Sequence, residues 1–113
     1  MGDRVLFQVV SESSGKFSPV IYGHWSGECA PEIANSVAKR MADRPGDVEY
    51  AAARLVQEMI ADSKGNTGFG IWNSDRILTP EDSHGDAGVC LIHADKGYSH
   101  EFICGYHRKK EAA

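Results

Sequence analysis

Apolar residues near the N-terminus follow a pattern typical of a strand that is covered on both faces. Over Arg4 to Val10, RVLFQVV, both faces of an extended chain are mainly apolar, and Gln8 is the single polar residue after Arg4. This pattern predicts a central strand. The serines and Gly15 of SESSGK then interrupt the run. Pro19 to Trp25, PVIYGHW, predicts a second strand that joins the first in a hairpin.

The middle of the chain shows helical periodicity instead. Pro31 suits a first helical turn, and Ile33, Val37 and Met41 recur every four residues. We expect this helix to end at DRPG, residues 43–46, because the residue before a proline avoids helical angles.

A second helix is predicted directly after this turn. Asp47 can cap it, Gly65 can stop it, and an apolar i, i+3, i+4 pattern runs between them. The residues that form this pattern are Ala52, Leu55, Val56, Met59 and Ile60.

Strand-like segments return in the last third of the chain, as GFGIWN, AGVCLIHA and SHEFICGY. A two-residue turn at Lys96 and Gly97 would join the last two as a hairpin and pair His93 with His100. Strands first, helices in the middle and hairpin strands last predict an α+β domain over residues 1–113. We expect an antiparallel sheet of about five strands with two helices packed on one face.

Composition and charge narrow the class of protein. The 113 residues, 42% hydrophobic and 25% charged, fit one globular domain. The chain has no apolar run of about 18 residues and no signal-peptide pattern at its start, so we expect a soluble cytoplasmic protein without a membrane partner. A net charge of -4 argues against a sequence-independent nucleic-acid binder, although HRKK, residues 107–110, is locally basic. A solvated tail is the favoured interpretation of that basic run.

The three cysteines, Cys29, Cys90 and Cys104, match no zinc-site spacing and are odd in number. We therefore predict unbridged thiols that serve as small apolar side chains. The glycines of GNTGFG precede a strand, whereas a phosphate-binding loop should open a helix, so no nucleotide cofactor is expected.

One candidate site lies in TPEDSHGDAG, residues 79–88. Thr79, Pro80 and the following acids form a helix start, with Gly85 as its end. Capping leaves His84 and Asp86 unexplained, and a histidine beside a carboxylate is suited to general-base chemistry or to ligand recognition. A solvated turn is the alternative interpretation.

A second candidate site is GHWSGE, residues 23–28, at a strand end. Its glycines permit close approach of a ligand or partner, and His24, Trp25 and Glu28 offer aromatic and polar contacts. The alternative is a tryptophan packed into the core. His93 and His100 could share a metal only with a third ligand, which the sequence does not identify, so no metal site is predicted. No serine or cysteine lies in a known nucleophile motif, so no catalytic residue is predicted.

Three stretches, FSPVIYGHWSGE, RPGDVEYAAARLVQEMI and EDSHGDAGV, resemble small uncharacterised proteins of bacteria and their phages. In size, acidity and lack of a catalytic motif the chain is also similar to phage-encoded inhibitors of bacterial defence. The favoured function is a binding module, because binding needs only a complementary surface and the chain offers no identifiable nucleophile or electrophilic stabiliser. It would recognise a protein partner or a small ligand through His24, Trp25, Glu28, His84 and Asp86. The alternative is a small hydrolase in which Asp86 or Glu81 orients His84 as a general base.

Overall fold

The computed structural model describes residues 2–62 and 68–108, which build an α+β fold around one mixed sheet. Its strands are β1 (Val5–Ser11), β2 (Lys16–Phe17), β3 (Val20–Gly23), β4 (Phe69–Trp72), β5 (Gly88–His93) and β6 (Ser99–Phe102). The strand order is β4-β3-β1-β5-β6, and β2 pairs with the far end of β1. The central position predicted for the first strand is confirmed, since every residue of β1 is buried.

The prediction of a wholly antiparallel sheet is wrong at one pair of strands. β1 and β5 run parallel, from Val5 opposite Gly88 to Val10 opposite His93. The other neighbouring pairs are antiparallel. All six residues of β5 are buried, which fits the near-continuous apolar run expected of a strand covered on both faces.

Two helices, α1 (Ala30–Arg40) and α2 (Val48–Asp62), cover one face of the sheet, as predicted. Their buried side chains pack on Val5, Phe7 and Val9 of β1 and on inward residues of β3, β5 and β6. Asp47 caps α2 as expected, because its Oδ1 accepts a hydrogen bond of 3.1 Å from the amide of Tyr50. The predicted stop at Gly65 lies outside the described residues.

The end of α1 comes earlier than predicted, at Arg40 rather than at residues 43–46. Tertiary contacts explain this difference, because the β5–β6 connection takes up main-chain groups of the turn after the helix. The hydroxyl of Tyr98 donates to the carbonyl of Arg44 and accepts from the amide of Asp47, and the amide of Gly46 donates to the carbonyl of Ala94. Pro45 therefore lies in the turn and does not mark the end of the helix.

The β5–β6 hairpin also has a different register from the predicted one. His93 lies opposite Ser99 and His100 opposite Ile92, so the two imidazoles point to opposite faces of the sheet. The turn explains the shift, because a short 3-10 turn at residues 94–96 is followed by Gly97 and Tyr98 with φ of 64° and 60°. This longer connection replaces the expected two-residue turn and removes the paired-histidine metal site considered above.

The face opposite the helices is covered by residues 73–87, which we call the covering segment. Its Leu78 packs on a second apolar cluster that includes Leu6, Val10 and Val89. A one-turn 3-10 helix at Pro80–Asp82 confirms the helix start predicted from Thr79. Ile77 also packs on this cluster, and hydrogen bonds add to the attachment of the segment.

Gln8 attaches the covering segment to the centre of the sheet. This fully buried side chain donates to the carbonyls of Ser18 and Arg76, at 3.0 and 3.1 Å, and accepts from the amide of Leu78 at 2.9 Å. A buried amide is tolerated when its donors and acceptors have partners. The polar interruption of RVLFQVV is therefore the point to which the covering segment is bonded.

Candidate functional site

The candidate site includes two aromatic side chains on neighbouring strands. Tyr22 on β3 and Trp72 on the edge strand β4 lie on the face of the sheet opposite the helices, because Val20 pairs with Trp72 and Tyr22 with Gly70. The two ring centroids are 5.9 Å apart. Trp72 is 40% exposed, which is high for a large aromatic side chain on a sheet.

The covering segment places His84 against both of these rings. Its imidazole stacks on the indole of Trp72 with centroids 5.8 Å apart and an interplanar angle of 18°. It also lies 5.5 Å from the ring of Tyr22. His84 is exposed and forms no hydrogen bond with another described residue, so its ring contacts define its position.

His24 and Trp25 extend the cluster beyond the end of β3. The Tyr22 hydroxyl and the Nδ1 of His24 are hydrogen-bonded at 2.7 Å. The imidazole meets the indole of Trp25 edge-on at 4.5 Å, and Trp25 is 56% exposed. We call the five residues of this cluster the aromatic surface: Tyr22, His24, Trp25, Trp72 and His84.

Asp86 fixes the covering segment to the sheet rather than orienting His84. Its Oδ2 accepts hydrogen bonds of 3.0 Å from both the amide and the Nε of Arg4. These contacts hold the pKa of Asp86 below its ordinary value. Asp86 has a φ of 55°, a left-handed conformation that aspartate tolerates better than most residues.

A second ion pair fixes the middle of the covering segment. Two nitrogens of Arg76 donate to the two carboxylate oxygens of Asp82 at 2.6 Å each, and the amide of Thr79 adds a bond of 2.7 Å. The guanidinium is the main reason that the pKa of Asp82 lies well below its usual range. Asp82 therefore braces the chain before His84 within the covering segment, and Asp86 attaches the chain after it to Arg4.

The loop that carries Trp25 is attached by Asp3. Its carboxylate accepts from the amide of Glu28 at 2.8 Å and from the hydroxyl of Tyr106 at 2.7 Å. A side chain at Gly27 would collide with Asp3, since an added Cβ would lie 2.3 Å from its Oδ1. Burial and the contact with Asp3 raise the pKa of Tyr106. The limited space beside Asp3 explains the glycine at position 27.

The structure therefore brings together three of the five site residues proposed from the sequence. His24, Trp25 and His84 join the aromatic surface. Asp86 is occupied by Arg4, and Glu28 is an exposed side chain whose main chain is bonded to Asp3. Sequence reasoning missed Tyr22 and Trp72, because their shared face depends on the pairing of β3 with β4.

The arrangement required for the hydrolase alternative is not present in the described part of the chain. His84 forms a hydrogen bond with neither Asp86 nor Glu81 there, and the Oδ2 of Asp86 accepts two hydrogen bonds from Arg4. Among the same residues, no three histidine, cysteine or acidic side chains are grouped to hold a metal ion. The described contacts of the His84 imidazole are with the rings of Tyr22 and Trp72.

The predicted use of the cysteines as small apolar side chains is confirmed for Cys90 and wrong for Cys29. Cys29 is exposed and Cys104 is half-buried, and both are free thiols. Cys90 is buried in the core between the sheet and the helices.

Across residues 2–62 and 68–108, no helix has the length and apolarity needed to cross a membrane.

The chain was compared with protein families, curated proteins and solved structures. No protein-family model, curated protein or solved structure matches the chain. The resemblance to small bacterial and phage proteins stays a hypothesis, and the functional argument depends on the site itself.

Proposed function

We propose that this chain is a small binding module that recognises a partner protein through the aromatic surface. The observation that carries the proposal is the convergence of five rings from separate parts of the chain on one exposed patch. Tryptophan and tyrosine are enriched at the centres of protein interfaces, where they combine large apolar area with polar groups.

The attachments of the surrounding loops support this proposal. Asp86, Asp82 and Asp3 bond the backbone near His84 and Trp25, so the exposed rings do not depend on a mobile support. A preorganised surface loses less conformational entropy when it binds. This favours recognition as the reason for exposing apolar rings.

A protein partner is preferred to a small ligand because of the shape of the site. Small-molecule sites are concave and enclose most of the ligand, whereas Trp25 and Trp72 are 56% and 40% exposed on an outward surface. The compositional similarity to phage-encoded inhibitors extends the proposal to a protein that acts by occupying a surface of a bacterial defence component. The net charge of -4 supports the expectation that nucleic acid is not the partner.

Partner capture with single variants tests the proposed function. Trp72→Ala and His84→Ala should each reduce capture of a partner from bacterial lysate at least about tenfold. Ile60→Ala is the matched control, because Ile60 is 62% exposed on α2, outside the aromatic surface. Equal capture by all three variants would show that recognition does not use the aromatic surface.

A further inference from the structure

An open cleft adjoins the aromatic surface at the end of β4. It has a volume of about 480 Å³ and is lined by Trp72, Asn73, Asp75, Arg76 and Asp82 among others. One wall is therefore an indole, and the others carry amide, carboxylate and guanidinium groups. This combination can contact a side chain that has both a flat or apolar part and a charged end.

The charges of the cleft favour a cation. The guanidinium of Arg76 is already bonded to both oxygens of Asp82. Asp75 is exposed and has no ion-pair partner among the described residues. Asp75 and Glu81 both stabilise the charged form of Arg76, so the surroundings of the cleft carry more negative than positive charge.

The edge strand beside the cleft is open to an additional strand. β4 is the last strand on its side of the sheet in the described chain, and Phe69–Trp72 contains neither a charged residue nor a proline. The opposite edge, β6, carries Glu101 and His100. Charged residues and prolines are common means of preventing edge pairing, so β4 is the edge suited to a partner strand.

Gly70 leaves additional space on this edge. A Cβ built there would have nothing within 4 Å, although Gly70 lies opposite Tyr22 and two residues before Trp72. A side chain from an added strand can therefore lie beside these rings. The free space, the indole and the unpaired carboxylate all adjoin the same four-residue edge.

We propose that the partner presents an extended segment that pairs with the outer edge of β4 and places an arginine side chain in this cleft. The guanidinium stacks on the indole of Trp72 and pairs with Asp75. This inference rests on the proposed function, because Trp72 belongs to both surfaces. It goes further by naming the conformation and charge of the partner segment.

A pair of short peptides tests the inference at low ionic strength, where screening is small. One probe is a capped seven-residue peptide of alternating valine and threonine with a central arginine. The other has citrulline, which keeps the shape and loses the charge. NMR titration of the labelled protein should show the arginine peptide shifting the Trp72 indole and the β4 amides, with binding about five- to tenfold tighter than for citrulline.

Two carboxylate variants provide the matched comparison. Asp75→Asn should remove most of the preference for arginine over citrulline. Asp43→Asn should leave it unchanged, because Asp43 is an exposed carboxylate in the turn after α1. Both substitutions are on exposed positions, so folding is expected to be unaffected.

Three results would overturn the inference. Equal binding of the two peptides would show that the cleft does not select charge. Absence of binding by either peptide, with partner capture still dependent on Trp72, would reject the extended arginine segment and leave the proposed function intact. A dimer that Trp72→Ala dissociates in light-scattering measurements would identify a second copy of the chain as the occupant of the edge.

Discussion

The two faces of the sheet are covered in different ways. On one face, α1 and α2 bury a large apolar cluster that includes fully buried Phe7, Val37, Leu55 and Met59. On the other, the covering segment adds Leu78 and Ile77 to a smaller cluster and is bonded to the rest of the fold through Gln8 and Arg4, while the Arg76–Asp82 ion pair braces it internally. The helix-covered face depends mainly on apolar packing, and the opposite face depends strongly on a few polar contacts.

This difference matters because the aromatic surface lies on the face with the polar attachments. A segment that follows no regular pattern can still place a side chain accurately when its backbone is bonded at several points. His84 is held in this way between Asp82 and Asp86. The helix-covered face supplies stability, and the covering segment supplies the position of the rings.

The largest expected effect is on the helix-covered face. Leu55 is fully buried in α2, so Leu55→Ala should lower the free energy of unfolding by about 2–5 kcal/mol. Chemical denaturation monitored by circular dichroism measures it. A change below about 0.5 kcal/mol would show that apolar packing does not dominate this face.

A smaller loss is expected when the central polar attachment is removed. Gln8→Leu leaves the amide of Leu78 and the carbonyls of Ser18 and Arg76 without their partner, which should cost about 1–3 kcal/mol. Gln57→Leu on the exposed side of α2 is the matched control and should have little effect. Equal stability of the two variants in denaturant would contradict the role given to Gln8.

Acid should weaken the covering segment. Asp82 and Asp86 have lowered pKa values in the folded protein, so their contributions are complete above the ordinary carboxyl value of 3.8. These contributions are lost as pH falls below that value toward the folded pKa values. Tryptophan fluorescence and far-ultraviolet circular dichroism can be compared during acid titration. We expect the change around Trp72 to begin at a higher pH than the loss of helix, whereas a single coincident transition would reject separate loss of the covering segment.

Two cysteines report local opening on the two faces. Cys104 packs with the apolar cluster beneath the covering segment, and Cys90 is buried on the helix-covered face. Alkylation of the native protein should modify Cys104 faster, and Gln8→Leu should increase its rate more than that of Cys90. Peptide mass mapping over time measures both rates. Parallel increases would indicate global unfolding instead of local opening.

The regular elements could be predicted from the sequence because their patterns are local. The two-sided apolar run of β1 indicates the burial that the structure shows. The apolar spacing in α2 indicates the burial of Leu55 and Met59 correctly but is wrong at Ile60, which is 62% exposed. The parallel pairing of β1 with β5 could not be predicted in this way, because it joins segments about 80 residues apart. The predicted pairing of His93 with His100 was wrong for a different reason, since Tyr98 adopts a positive φ that its residue type does not suggest.

The candidate site was predictable only in part for the same reason. His84 and Trp25 stand out as a histidine and a tryptophan in glycine-rich loops. Asp86 looked like a partner of His84 because it is two residues away, yet its partner is Arg4, 82 residues away. The isolated polar Gln8 in an apolar strand was the available sign that something must be bonded across that face.

The central claim is that the aromatic surface serves recognition and is not required for folding. Its most direct test is the double variant Trp72→Ala, His84→Ala. This variant is assayed for unfolding in denaturant and, in parallel, for capture of the partner that the unmodified protein binds. We predict that the free energy of unfolding falls by no more than about 2 kcal/mol, because the two side chains contact mainly neighbouring rings at the surface, while capture is lost. Undiminished capture, or a loss of stability that accounts for the loss of capture, would contradict this account.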